Sequence, residues 1–228
     1  MQATDELRDP VAFRRLLLIT GLLGALGALI VGCGEFLMQF SAQGGYEAAD
    51  YGYFARVSMA RLRLGHFLGA LAAPLYLAGY AHIFLALRPA PAWLRWSVLL
   101  LGVYGFVIGD VWLGSRIYLA LLVHADADAS SSLSGLLTQA AAFNEPLIQV
   151  VRVAIALASV LFGAAVLCGR SLYPRWIAAC NPVVWLVLVF LSYRFIPSIG
   201  VYLLPTAMNV AHFIFFALSV LVLRRRVR

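Results

Sequence analysis

Two residues in the stretch VYGFVIGDVWLGSRIYLALLV, Val103 to Val123, stand apart chemically: Asp110 and Arg116, both set in sequence apolar enough for a membrane interior. Glu35, His66, Arg152, Asn209 and His212 occupy comparable runs elsewhere in the chain. A charged side chain at membrane depth costs roughly 3 kcal/mol or more, so such groups face a bundle interior and find partners there. A carboxylate beside a histidine makes a proton donor or acceptor that works near neutral pH. Asp110, Glu35 and His212 are therefore the candidate catalytic residues. Arg116 and Arg152 offer cationic contacts to an anionic ligand group. Glu35, His66, Asp110, Arg116, Arg152, Asn209 and His212 together form the candidate ligand-binding set.

Residues so far apart in sequence need helices to gather them. About 20 apolar residues span a bilayer core, and six runs reach that length: 16–40, 64–87, 94–123, 146–168, 176–196 and 201–223. Pro89 and Pro91 end the second run, while Pro174, Pro182 and Pro197 punctuate the fifth. The first run exceeds a signal-peptide core and no A-x-A site follows it, so it reads as uncleaved. The predicted fold is all-α, a polytopic bundle of six transmembrane helices forming one domain over residues 1–228. Two connections are long, 41–63 and 124–145, and both are expected on the outer side.

Composition agrees with this placement. Only 12% of the 228 residues are charged and 63% are hydrophobic, against about 25% charged in a soluble domain. All 17 basic residues are arginine, so no lysine is present for Schiff-base chemistry. The net charge of +7 does not indicate nucleic acid, because the arginines lie at the ends of runs. If six helices cross, eleven arginines (Arg8, Arg14, Arg15, Arg88, Arg95, Arg170, Arg175, Arg224, Arg225, Arg226, Arg228) fall on one side. Four (Arg56, Arg61, Arg63, Arg194) fall on the other, which carries Asp126 and Asp128. The positive-inside rule then puts both termini in the cytoplasm of a bacterial inner membrane.

Residues at i, i+3, i+4 and i+7 share a helix face, and the polar positions segregate accordingly. The first run repeats Gly21, Ala28 and Glu35, with Gly24 and Gly32 beside them. Small residues allow close helix packing in lipid, so Glu35 rides a contact face. The second aligns His66, Gly69, Ala73, Tyr76 and Tyr80; the third Gly102, Gly109 and Arg116, with Asp110 about 100° from Gly109. The fourth aligns Glu145, Gln149, Arg152, Ala156 and Ser159, and the sixth Tyr202, Pro205, Asn209 and His212.

Depth divides these groups into two layers. At 1.5 Å per residue, Arg116, Arg152 and Glu35 sit about 7–10 Å below the outer edge, with Asp110 and His212 near 18 Å and Asn209 slightly above. Asp110 is expected beside His212, and the two carboxylates balance the two arginines. His82 points away from this set. Tyr76, Tyr80, Tyr118 and the tryptophans read as packing or interface-belt residues.

Other chemistries fit poorly. A metal site from His66, Asp110, His212 and Glu35 would need groups at one depth, and no HxxxH or HxxE pair exists. Cys33, Cys168 and Cys180 lack CxxC spacing and read as structural thiols. No strand pattern, phosphate loop or serine elbow is present, and no cofactor is implied. The outer loop SAQGGYEAADYGYFARVSMARLRLG reads as solvated, with an interfacial helix around Phe54–Leu64; a lid folded over the outer mouth is the alternative.

The segment GHFLGALAAPLYLAGYAHIFLAL (Gly65–Leu87), preceded by SMARLRLG, resembles an uncharacterised bacterial family of six-helix membrane proteins. GCGEFLMQF matches that family's Gly-rich first helix with a late acidic residue, and the likeness extends from about Gly21 to Ser115. The resemblance implies the six-helix fold and no activity. Three functions stay open: a protein that binds or transports a small or amphiphilic, anionic ligand from a polar cavity; an enzyme acting on a lipid or isoprenoid, with Asp110 or Glu35 as general acid; and a structural subunit. Membrane lipid is the expected surrounding partner, and oligomeric state is left open.

Overall fold

A computed structural model describes residues 9–44, 46, 51–128 and 133–226, with no side-chain placement at 127 and 128. Arg8, Arg228 and the Asp128 side chain, used above for topology, lie outside the described residues. Among those described, the chain is all-α, with seven α-helices and three short 3-10 turns. The helices are α1 Pro10–Gln39, α2 Met59–Ala86, α3 Ala92–Asp128, α4 Ser134–Leu167, α5 Pro182–Phe195, α6 Pro197–Leu203 and α7 Ala207–Arg226.

Their starts are written in the sequence. Asp9 caps α1, accepting from the Val11 N–H at 2.9 Å, with Pro10 in the first helical position. Ser58 caps α2, and Asn181 accepts from the Val183 N–H at 3.0 Å ahead of Pro182 at the head of α5. Short polar caps satisfy N–H groups that a helix start leaves unpaired, and proline there sacrifices no bond.

The packing order is a ring: α4 on α3, α3 on α2, α2 on α1, α1 on α7, and α7 on α5. Glycines set the closest approach. A Cβ on Gly24 of α1 would fall on the Cα of Gly79 in α2, and one on Gly34 would meet the Gly65 carbonyl. Gly24 and Gly34 thus bring backbone against backbone, whereas Gly21 and Gly32 lie against the side chains of His82, Val220, Asn209 and Thr206. The ring closes weakly between α5 and α4. At one end the 3-10 turn Arg175–Cys180 packs on α4, but α5 itself leans mainly on α7.

Polarity is inverted relative to a soluble bundle. Glu35, Gln39, His82, Arg116, Asn144, Asn209 and His212 are buried, while Leu71, Leu100, Val160 and Leu221 stand exposed on the perimeter. Four of the helices (α1, α2, α3 over Ala92–Asp126, and α4) and the segment Pro197–Arg226 are long and apolar enough to cross a membrane. The fifth expected run, 176–196, departs from this. It yields a 3-10 turn and then a helix of 14 residues, about 21 Å long at 1.5 Å per residue. Asn181–Pro182 and Pro197 delimit it. The last run also breaks differently, because Pro205 lies in a 3-10 turn between α6 and α7.

The two long connections are corrected as well. Most of 124–145 is helix: α3 runs on to Asp128 and α4 starts at Ser134. Ala, Leu and Gln in LLTQAAAF are strong helix formers although the stretch is not apolar enough to register as a span. In 41–63, the solvated reading fails for residues 51–57. Tyr51, Tyr53, Phe54 and Val57 are all buried, around a 3-10 turn at Gly52–Arg56, and the following helix begins only at Met59.

The first turn of α1 and the end of α7 meet. Arg14 donates to the Arg224 carbonyl at 3.3 Å, and Arg88, between α2 and α3, lies over the Phe13 ring at 5.3 Å.

Candidate functional site

Arg116 is the centre of the site. It is 3% exposed, and its guanidinium carbon sits 4.7 Å from the Trp112 ring centroid, with the Tyr51 and Phe54 rings at 5.5 and 5.6 Å. A cation sunk among aromatic faces gains from their negative quadrupoles. Nη1 donates to Glu145 Oε1 at 3.0 Å and to Asn144 Oδ1 at 3.4 Å, and Nη2 donates to the Tyr53 hydroxyl at 2.5 Å. Nε is buried with no hydrogen-bond partner among the described residues. Asn144 is pinned in turn, donating to the Trp112 carbonyl at 3.0 Å and to Ser115 Oγ at 2.5 Å.

From Tyr53 a chain of hydrogen bonds runs inward. Its hydroxyl donates to Gln39 Oε1 at 3.5 Å, and Gln39 Nε2 donates to Glu35 Oε1 at 2.9 Å. Asn209 Nδ2 donates to Glu35 Oε2 at 2.7 Å, and the Tyr76 hydroxyl donates to Asn209 Oδ1 at 2.5 Å. These bonds lock five helices (α1, α2, α3, α4 and α7) and the 51–57 segment into one polar system. Gln39 follows Glu35 by one helical turn, which puts both on one face of α1.

Tyr51 adds a strained anchor. Its φ of 55° is left-handed, a region costing a non-glycine residue roughly 1–2 kcal/mol, yet its hydroxyl donates to Glu145 Oε1 at 2.8 Å. Burial lifts both the Tyr51 and Tyr53 phenols above their ordinary range, helped at Tyr51 by the Glu145 carboxylate. They therefore remain neutral donors.

Two pockets adjoin this chain. The polar one, about 420 Å³, is bounded by Glu35, Tyr46, Tyr51, Arg116, Glu145 and Arg152, with an apolar wall of Ile148, Leu186, Phe190, Leu204 and Met208. The narrower one, about 70 Å³, contains Asp110 and His212 among apolar side chains such as Val151, Ile155 and Phe106. Glu35, Trp112, Ile148 and Met208 line both.

The expected outer layer of Glu35, Arg116 and Arg152 thus meets in one pocket, and Asp110, Asn209 and His212 meet in the other. Several expected pairings do not form. His212 is not hydrogen-bonded to Asp110. Its Nδ1–H donates to the Met208 carbonyl and its Nε2 accepts from the Tyr80 hydroxyl, both at 2.8 Å. The carbonyl can only accept, which fixes the tautomer of the neutral ring. Tyr76 and Tyr80 pack in the core as expected, and their hydroxyls are polar partners as well. His66 stands against Gly114, one turn along α3 from Asp110. His66 lies outside both pockets. Arg152 is exposed and, among the described residues, donates to Gln149 alone, on its own helix, at 3.3 Å.

Glu145, Gln39, Tyr51 and Tyr53 join the candidate site beyond the expected set. Glu145 was readable on the polar stripe of the fourth run, and Gln39 by its spacing from Glu35; nothing marks the tyrosines. His82, left out of the set, belongs to a separate chain. Its Nδ1–H donates to the Leu17 carbonyl at 2.7 Å and Nε2 accepts from Ser219 Oγ at 2.6 Å, which Tyr173 contacts at 2.5 Å. Among the described residues no three His, Cys, Asp or Glu side chains converge on a metal position.

The sequence model described as a family of unknown function (DUF6796) matches residues 13–226. No curated protein and no solved structure matches the chain.

Proposed function

Since the chain belongs to that family of unknown function, whose description carries no activity, we propose from the geometry that it is a multi-pass protein of the bacterial inner membrane. It binds or transports a small or amphiphilic anionic ligand. Six crossings, with α5 as the shortest, place both termini in the cytoplasm and the Arg116 pocket toward the outer face. The meeting of Arg14 with Arg224 supports an even number of crossings.

The observation that carries the ligand reading is the polar pocket. Its size, about 420 Å³, lies within the usual range of small-molecule sites, roughly 300–1,000 Å³. It joins two guanidiniums to an apolar wall, which suits an anionic head on an apolar body. Native mass spectrometry of gently extracted protein tests this. An anionic amphiphile retained by the wild type and lost from Arg152→Met supports the reading. A wild type carrying no adduct beyond those of Arg152→Met counts against it.

One observation favours an enzyme as the second reading. Asp110 lines a pocket yet has no hydrogen-bond partner among the described residues, whereas both Glu35 oxygens are engaged. An enzyme acting on a lipid or isoprenoid would use Asp110, not Glu35, as its general acid. Loss of turnover in a folded Asp110→Asn variant is its signature.

A further inference from the structure

Arg116 and Glu145 form an unequal pair. The Arg116 side chain is 4% exposed and held by Tyr53 and three aromatic faces, while the Glu145 side chain is 43% exposed. The cation is enclosed, whereas the carboxylate, held at Oε1 by Arg116 and Tyr51, is partly open to its surroundings. Glu145 also lines the pocket in which Arg116 would meet any ligand anion, and the buried Arg116 Nε–H has no acceptor among the described residues. A guanidinium with a spare donor beside a partly exposed carboxylate can exchange that carboxylate for another anion.

The pocket walls indicate where such an anion comes from. Ile148 and Arg152 of α4 face Leu186 and Phe190 of α5 across it. Along this seam the ring of helices is weakest, and α5, 14 residues long, is set against α4 with 34. Phe190 and Arg152 are exposed on the two rims. The narrow, largely apolar pocket adjoins it through the shared residues Ile148 and Met208.

We propose that Glu145 holds the place of a ligand headgroup on Arg116, and that the ligand is a single-chain amphiphile with an anionic head, admitted from the bilayer between α4 and α5. Arg152 meets the head first at the rim; Glu145 then yields Arg116 to it. This rests on the pocket being a ligand site.

Equilibrium binding to the full chain in amphipol tests the proposal, with dodecyl phosphate and laurate as anionic amphiphiles, inorganic phosphate as a free anion and dodecyl maltoside as a neutral amphiphile. Glu145→Gln keeps an acceptor for Tyr51 and removes the competing charge. It should bind dodecyl phosphate or laurate about tenfold tighter, equivalent to about 1.4 kcal/mol, with dodecyl maltoside unchanged. Unchanged or weaker binding of the anionic amphiphiles by Glu145→Gln, with the wild type still binding them, overturns the exchange while leaving the pocket as a ligand site. An equal gain for dodecyl maltoside overturns it also. Inorganic phosphate saturating the site as tightly as dodecyl phosphate overturns the amphiphile. A wild type that binds no probe removes the underlying reading together with this one. If Glu145→Gln does not fold, Tyr51→Phe releases one hold on Glu145 and should bind anionic amphiphile roughly threefold tighter; no gain there overturns the exchange.

Discussion

Glu35 and Arg116 belong to one hydrogen-bonded system without touching, because Tyr53 and Gln39 stand between them and pass the bonds along. The consequence is that the carboxylate and the guanidinium are coupled through neutral groups, and removing one of these takes a bond from each side of the link. Gln39→Leu keeps the volume and deletes both links. A buried acceptor and donor left unpaired cost about 1–3 kcal/mol, so the melting temperature in detergent should fall. An unchanged melting temperature would show that the links hold nothing.

The two arginines of the pocket should separate cleanly. Arg116→Met removes the cation around which Glu145, Tyr53 and Asn144 are arranged, and losing one member of a buried pair costs roughly 3–5 kcal/mol. The half-exposed Glu145 puts this case at the lower end. Arg152→Met, at an exposed position with only a local bond, should leave stability within about 0.5 kcal/mol. Its effect should appear in ligand affinity. Thermal melts with and without dodecyl phosphate measure both quantities on the same samples.

At the Gly24–Gly79 crossing there is no space for a side chain. Gly24→Val must push α1 from α2, at an overpacking cost of about 1–3 kcal/mol or more. A folded protein with wild-type melting behaviour would contradict the close crossing.

His212 depends on one donor for its Nε2. Tyr80→Phe leaves that nitrogen unpaired inside the bundle, and destabilisation of about 1–3 kcal/mol is expected. Asp110→Asn, which does not touch His212, should change stability far less. Comparing the two variants in one detergent checks that His212 answers to Tyr80 and not to Asp110.

The proposed six crossings are open to labelling. In a cysteine-free background, Gln43→Cys should react with a membrane-impermeant maleimide on intact spheroplasts, whereas Arg170→Cys should react only after permeabilisation. Labelling of both positions from one side would leave an odd or smaller number of crossings.

Much of the bundle was legible because membrane helices are written in long apolar runs and glycine repeats. Gly24, Gly32 and Glu35 fall on the contact face that their spacing indicated. Depth counting along separate helices also brought Glu35, Arg116 and Arg152 to one pocket. Pairing was much less legible. Partners such as Tyr53 and Asn209 depend on helix rotation and on how a loop folds back, and neither leaves a period in the sequence. The helical extensions of α3 and α4 escaped because hydropathy measures suitability for lipid, while Ala- and Leu-rich turns are helical in water too.

The central claim, an anionic amphiphile seated across the α4–α5 seam, is tested most directly by photo-cross-linking. A laurate carrying a diazirine at mid-chain is equilibrated with the protein in bilayers, irradiated, and its attachment sites are mapped by mass spectrometry. Labels concentrated on Ile148, Leu186, Phe190 and Met208, and lost in Arg152→Met, are the expected result. Labels spread over the exposed faces of α1 and α2, or unaffected by Arg152→Met, would contradict it.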